Sequence, residues 1–222
     1  MNRIGVVVVA GGSGSRMKNS LPKQFIPVLD KPILQYTIDR FFEWNSAIQL
    51  ILVLPEDQID HWNNIKSEST RPYKICRGGK ERFHSVKNGL NALENVDHVM
   101  IHDGVRPLFS DQLLDRCVNA LEKHSGVIPV VSPKESLRQI SDKGSQHIDR
   151  AKIKMVQTPQ CFHYNEINNA FSQEFDTLFT DDASVFEKTG AAVHLVEGEY
   201  TNIKVTTPED LLCLEIYLKK KA

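Results

Sequence analysis

Cysteine is scarce in this chain: four residues of 222, at Cys76, Cys117, Cys161 and Cys213, with no Cys-x-x-Cys pair. Such spacing argues against a zinc site and a disulfide framework, and for a reducing compartment. Long hydrophobic runs are lacking too. Nothing approaches a membrane span, and the N-terminus enters an apolar run without the basic, apolar and small-residue succession of a signal peptide. A cytoplasmic protein is expected. Neither sign of charge dominates, since 27 Lys and Arg stand against 28 Asp and Glu for a net charge of −1, so no global basic field speaks for nucleic acid. The closing Lys219-Lys220-Lys221 reads as a solvated helix end that complements the helix dipole, rather than as a membrane patch. The histidines lack metal-ligand spacing.

Two familiar glycine signatures are missing as well. No Gly-Lys-Ser/Thr completes a P-loop, and although Gly12-x-Gly14 is present, the third glycine position of the dinucleotide fingerprint is Met17. What stands there instead is Ala10-Gly11-Gly12-Ser13-Gly14-Ser15-Arg16, with Pro22-Lys23 further on. It follows an apolar run, Ile4 to Val9, that reads as a buried parallel strand, so the glycines fall where a strand ends and backbone bends around a ligand. Glycines let N–H groups approach an anionic oxygen, and Arg16 and Lys23 add two positive charges. This combination suits a nucleoside triphosphate.

The length suits one large domain with a sizeable core. Strand-like runs at Ile4–Ala10, Leu50–Leu54, Tyr73–Cys76, His98–His102 and Gly126–Val131 alternate with helical patterns, the signature of a doubly wound, mostly parallel α/β sheet. Pro32 precedes the helical spacing of Ile33, Leu34, Ile38 and Phe41, and Phe83, Val86, Leu90 and Leu93 repeat in the same way. Ser110 is expected to cap a helix that turns Leu113, Leu114, Val118 and Leu121 inward. The pattern breaks over residues 132–155, a polar stretch that buries little by itself and is expected to project as an arm packing on a second subunit. Beyond it, Thr180 is expected to cap a short helix, and Thr207-Pro208-Glu209-Asp210 to open the last one.

Three further clusters carry chemistry. His102-Asp103-Gly104-Val105-Arg106-Pro107 follows a buried strand, which aims Asp103 into the ligand crevice and suits it to a magnesium ion; alternatively it caps a turn and pairs with Arg106. Gly78-Gly79-Lys80-Glu81-Arg82-Phe83-His84-Ser85 offers backbone amides and the Ser85 hydroxyl to the polar edge of a base, or is an ordinary β-to-α turn. Asn202-Ile203-Lys204-Val205-Thr206 reads as a short strand with Lys204 and Thr206 on one face, a phosphate site or a solvent-facing edge.

Together with Gln157-Thr158-Pro159-Gln160 and Thr180-Asp181-Asp182-Ala183-Ser184, these segments resemble the polyol-phosphate cytidylyltransferases, most closely their methylerythritol phosphate branch. The likeness extends from Val6 to Leu218. It implies a nucleotidyltransferase fold, a homodimer formed through the arm, magnesium as cofactor, and CTP and a polyol phosphate as substrates in non-mevalonate isoprenoid synthesis. By the same resemblance Arg16, Lys23 and Lys204 are catalytic. Ala10, Gly11, Gly12, Gly14, Gly79, Lys80, Ser85, Asp103 and Gly104 surround CTP, with Asp103 at the metal. Ser136, Arg150, Thr180 and Thr206 hold the polyol phosphate, Arg150 from the partner subunit. Departures are Glu135-Ser136 where Asp-Thr is usual, Thr201 where an acid is frequent, and Gly104-Val105 for a smaller pair. Ribitol 5-phosphate cytidylyltransferases share much of this pattern and remain an alternative. A dinucleotide-binding oxidoreductase is an alternative of another class, and so is a nucleotide-binding regulator, but the former leaves Arg16, Lys23 and Lys204 idle.

Overall fold

The computed structural model of the chain describes residues 2–12, 21–66, 71–142 and 144–221. In chain order its first half comprises β1 (Ile4–Val9), β2 (Pro27–Val28), β3 (Lys31–Pro32), α1 (Ile33–Trp44), β4 (Gln49–Leu54), α2 (Glu56–Ile65), β5 (Lys74–Arg77), α3 (Arg82–Asn91) and β6 (His98–Asp103). Then come α4 (Asp111–Ala120), β7 (Gly126–Val131), β8 (Leu137–Ser141), β9 (Gly144–Ile148), β10 (Met155–Val156), β11 (Gln160–His163), α5 (Tyr164–Ala170), α6 (Asp182–Glu187), β12 (His194–Glu197) and α7 (Pro208–Lys221).

The central sheet runs β10-β7-β11-β6-β1-β4-β5, with β12 paired to β7. β5, β4, β1 and β6 are mutually parallel. Their apolar residues alternate between faces, as a pleated strand requires. Val6, Val8, Leu50, Leu52, Leu54 and Met100 pack with Leu34, Ile38 and Phe41 of α1, Trp62 of α2 and Leu113, Leu114 and Cys117 of α4. Val7, Ile51, Val53, Val99 and Ile101 pack on the other side with Phe83, Val86 and Leu90 of α3 and with Val185 and Phe186 of α6. Both faces being covered explains why β1 is a continuous aliphatic run instead of an alternating one. Helix α3 presses so closely on this sheet that a Cβ on Gly89 would lie 2.4 Å from Val7 Cγ1. From β1 the chain moves outward to β4 and β5, then returns to place β6 on the other side of β1. The carboxyl end of β1 is therefore a topological switch point, where open α/β sheets leave a crevice.

The five expected strands are present within a residue or two, as are the helices on Ile33, Phe83 and Ser110. Ser110 caps α4 by accepting the Leu113 N–H, and Pro208 opens α7. Two expectations need correction. Residues 202–206 belong to no strand: Val205 N–H donates to Val105 O at 2.9 Å, and buried Val205 pins the segment beside Leu214 of α7. The cap of α6 is Asp181 in place of Thr180, because its carboxylate accepts the Ser184 N–H while the Ser184 hydroxyl reaches back, closing a capping box. β11 enters antiparallel between β6 and β7, against the direction of a mostly parallel sheet. The arm is a hairpin of β8 and β9 standing outside the main sheet, with Ile140 76% exposed at its side.

Candidate active site

At the carboxyl ends of β1, β5 and β6 lies a cleft of about 290 Å³, walled by Ala10, Gly11, Gly12, Lys23, Gln24, Gly79, Lys80, Glu81, Arg82, Ser85, Asp103, Val105 and Lys204. A smaller recess of about 200 Å³ opens behind Gly11, Gly79 and Ser85, between Leu54, Pro55 and Gly78. Ala10, Gly79 and Asp103, far apart in the chain, thus meet because each stands at the carboxyl end of a strand of one sheet.

The first wall is the glycine loop. Ala10 stays tied to the sheet through its N–H to Val53 O at 3.0 Å, and its carbonyl accepts from Gln24 Nε2 at 2.9 Å. That same amide nitrogen also donates to Gln58 Oε1 at 2.7 Å, so buried Gln24 clips the loop to α2. Lys23 sits on a 3₁₀ turn, Lys23–Phe25. Phe25 fixes the turn by stacking on Trp62 with ring centroids 5.8 Å apart. Lys23 is consequently held buried at the cleft wall. Gly14 and Arg16 lie outside the described residues.

The second wall closes on itself. Gly79 N–H donates to Ser85 Oγ at 3.0 Å, and the Ser85 hydroxyl donates to Glu81 O at 3.2 Å. A Cβ on Gly79 would sit 2.3 Å from His84 Cβ, so only glycine lets the loop lie this close to α3. Ser85 therefore shapes the recess as well as lining it.

The floor is charged. Asp103 Oδ2 receives Arg106 Nε at 3.1 Å and Lys204 Nζ at 3.1 Å; among the described residues Oδ1 takes no partner. Burial would push this carboxyl up, but Lys204, Arg82 and Arg106 outweigh it and hold Asp103 well below the usual carboxylate range. Behind the floor, Asp103 N–H donates to Thr158 Oγ1 at 3.1 Å. That hydroxyl lies 3.1 Å from His102 Nδ1, and His102 Nε2 lies 3.0 Å from Arg106 O. A carbonyl only accepts, so Nε2 carries the hydrogen and Nδ1 accepts from Thr158. Burial lowers the His102 pKa to about 4, which keeps this imidazole neutral and leaves it a framework group. Asp103 thus pairs with Arg106 and also faces the cleft.

Other expected site residues lie elsewhere. Gly104 packs behind Ala10, its N–H bonded to Val9 O at 2.9 Å, and its neighbour Val105 takes the place at the wall. Thr206 is near Lys204 but not in the cleft wall; its hydroxyl donates to Asp210 Oδ2 at 3.0 Å as part of the α7 entry. Thr180 is exposed ahead of α6. Ser136 and Arg150 are exposed on the arm, and Arg150 Nη1 donates to Lys134 O at 2.6 Å. None of the four residues assigned to the polyol phosphate, Ser136, Arg150, Thr180 and Thr206, is among those that line the cleft. Sequence reasoning also missed the roles of Gln24 and Arg82. Arg82 makes a two-pronged ion pair with Asp182. The pattern Asp182-Ala183-x-Val185-Phe186 hinted at it, since an acid on the buried side of a helix requires a cation.

A family model described as 2-C-methyl-D-erythritol 4-phosphate cytidylyltransferase matches residues 4–220. A protein of that name from Bacteroides thetaiotaomicron is 47% identical over 93% of this chain and 95% of its own. Its counterpart from Bacteroides fragilis is 45% identical over 92% of this chain and 94% of its own. Among solved structures, 4-diphosphocytidyl-2C-methyl-D-erythritol synthase from Anaerococcus prevotii superposes with a TM-score of 0.84 at 31% identity, covering 98% of this chain and 96% of that one.

Proposed function

The chain belongs to the 2-C-methyl-D-erythritol 4-phosphate cytidylyltransferase family, and from that premise we propose how its cleft performs the transfer of CMP from CTP to methylerythritol phosphate. A phosphate oxygen of the polyol phosphate attacks the α-phosphorus of CTP in line. The bond from that phosphorus to the bridging oxygen breaks, and pyrophosphate departs with its electron pair. The nucleophile is already an anion at neutral pH, so no general base is needed. Charge is the obstacle, because two anions meet while more negative charge gathers on the equatorial oxygens.

Lys23 from the first wall and Lys204 from the floor meet that charge with preorganised cations; Arg16 of the glycine motif is assigned the same task. Amides of Gly11 and Gly12 suit the triphosphate, and the recess bounded by Gly79 and Ser85 suits the cytosine ring. Asp103 fits a magnesium ion, since one carboxylate with a free oxygen is enough for an ion that takes its other ligands from phosphates and water. When bound, the ion supplies charge neutralisation across the phosphate oxygens. Ser136, Thr180, Thr206 and Arg150 from a second copy are assigned to the polyol phosphate, with the arm as dimer contact. The free cysteines agree with a cytoplasmic setting.

The observation that carries this reading is the gathering of Lys23, Asp103 and Lys204 around one cleft with both glycine loops. Pyrophosphate release on mixing the protein with CTP, magnesium and methylerythritol phosphate tests it, with ribitol phosphate run in parallel. Release with the first acceptor and little with the second is expected. Release only with ribitol phosphate, or none with either, overturns the assignment. The dehydrogenase alternative has no remaining support, because family membership accounts for the glycine turn without a dinucleotide.

A further inference from the structure

Arg82 opens α3 and stands in the cleft wall, yet no step above uses it. Its Nη1 and Nη2 each donate to one oxygen of Asp182 at 2.7 Å. Asp182 has no exposed side-chain surface, whereas that of Arg82 is 33% exposed. The pair is thus polarised, with its carboxylate inside the protein and its guanidinium at the surface of the cleft. An end-on fork of this kind uses one N–H of each terminal nitrogen. The Nε–H and the outer N–H on each side are left over, and among the described residues they have no partner.

Asp182 is itself firmly placed. It follows the capping residue Asp181, whose Oδ2 accepts from Gln160 Nε2 at 2.8 Å, and Gln160 Oε1 accepts the Ala183 N–H at 2.8 Å. The start of α6 is therefore bolted to β11, and Arg82 is bolted to α6. A cation held on one edge and open on the other loses little freedom when an anion arrives. Burial alone would disfavour its charge, but Asp182 more than compensates, so Arg82 stays ionised.

We propose that Arg82 is a further substrate-positioning residue, whose open edge receives the phosphate of the polyol phosphate beside the α-phosphorus of CTP. This rests on the reaction proposed above. The choice of acceptor over nucleotide follows from placement: Gly11, Gly12 and Lys23 furnish the triphosphate wall, whereas Arg82 stands with Asp103 in the rest of the cleft lining, close enough for their charges to act on each other.

Steady-state pyrophosphate release by Arg82→Gln and Arg82→Lys variants, varying each substrate against the other, tests the assignment. In Arg82→Gln the KM for methylerythritol phosphate is expected to rise about tenfold or more, as for loss of a charge-assisted hydrogen bond, while the KM for CTP stays within roughly threefold. Arg82→Lys keeps the charge and recovers part of the loss; it also serves if the glutamine variant does not fold. An unchanged acceptor KM overturns the proposal, and so does an equal rise in both KM values, which marks general damage to the loop. Calorimetric titration of methylerythritol phosphate into wild type and Arg82→Gln separates this idea from the reaction itself. If wild type binds this acceptor without turning it over, the reaction reading fails while Arg82 is still judged on the change in affinity.

Discussion

The cleft and the arm are opposites in construction. Three parts of the cleft grow from strand ends: Ala10 after β1, Gly78 and Gly79 after β5, Asp103 at the end of β6. Each is tied down by bonds to a neighbouring segment. In the arm, by contrast, β8 and β9 bond chiefly to each other, and their side chains face solvent along most of both strands. A two-stranded hairpin with no apolar face covered is marginal alone. The described part of the nucleotide half of the proposed chemistry is thus gathered in a single chain, whereas the half assigned to Ser136 and Arg150 sits on the exposed arm. The dimer proposed above would satisfy both the hairpin and that half of the chemistry.

The contrast breaks most visibly at the cations. Lys23→Ala and Lys204→Ala are each expected to lower kcat by about a hundredfold or more, by analogy with losing one preorganised stabilising group. Both should leave the assembly state unchanged, because neither residue is on the arm. Single-turnover kinetics and light scattering on the same samples check this. Turnover that survives in both variants would remove these residues from the mechanism.

Changes to the arm should do the reverse. Ile140→Asp combined with Ile153→Asp places charge on apolar side chains that are 76% and 37% exposed, and it is expected to yield monomers by light scattering with the fold intact by circular dichroism. Arg150→Ala is expected to keep the dimer and to raise the KM for methylerythritol phosphate by roughly tenfold, with the KM for CTP nearly unchanged. If Arg150→Ala weakened CTP instead, the division of labour between the two regions would be wrong.

The same contrast explains what was legible in the letters. Strands β1, β4, β6 and β7 announce themselves because burial on two faces demands unbroken apolar runs. The glycine motifs follow β1 and β5 and Asp103 ends β6, and Ala10, Gly11, Gly12, Gly79, Ser85 and Asp103 all line the cleft. β11 was not foreseen, since four residues, Gln160–His163, carry too short a period to separate from loop, and its antiparallel direction depends on how the chain returns from the arm. Residues 202–206 misled in the opposite sense: the buried residues Asn202 and Val205 lie three apart, with Lys204 exposed, which is not the period of a strand, and no neighbouring strand pairs with them. Arg82 was hidden because its meaning resides in Asp182, 100 residues away. Local pattern reports burial well and partnership poorly.

Within the cleft, the base loop offers a finer division. Gly79→Ala forces a Cβ to within 2.3 Å of His84 Cβ, and backbone must move to relieve it. A cost of roughly 1–3 kcal/mol in stability is expected, as for other overpacking changes, together with a raised KM for CTP. Denaturant unfolding and steady-state kinetics measure the two effects. Neither should alter the arm or its dimer.

The smallest effect expected is at Ser85, and it separates shaping from reading. In Ser85→Ala the Gly79 N–H loses its acceptor at 3.0 Å, which by itself costs about 1 kcal/mol. Were shaping the only role, every nucleotide would bind less well by the same factor, because a relaxed loop does not distinguish bases. If Ser85 also reads the base edge, the ratio of kcat/KM for CTP to that for UTP should fall in Ser85→Ala and return in Ser85→Thr, which restores the hydroxyl. Constant discrimination with weaker binding of both nucleotides would assign Ser85 to the scaffold and leave recognition to the backbone of Gly79 and Lys80.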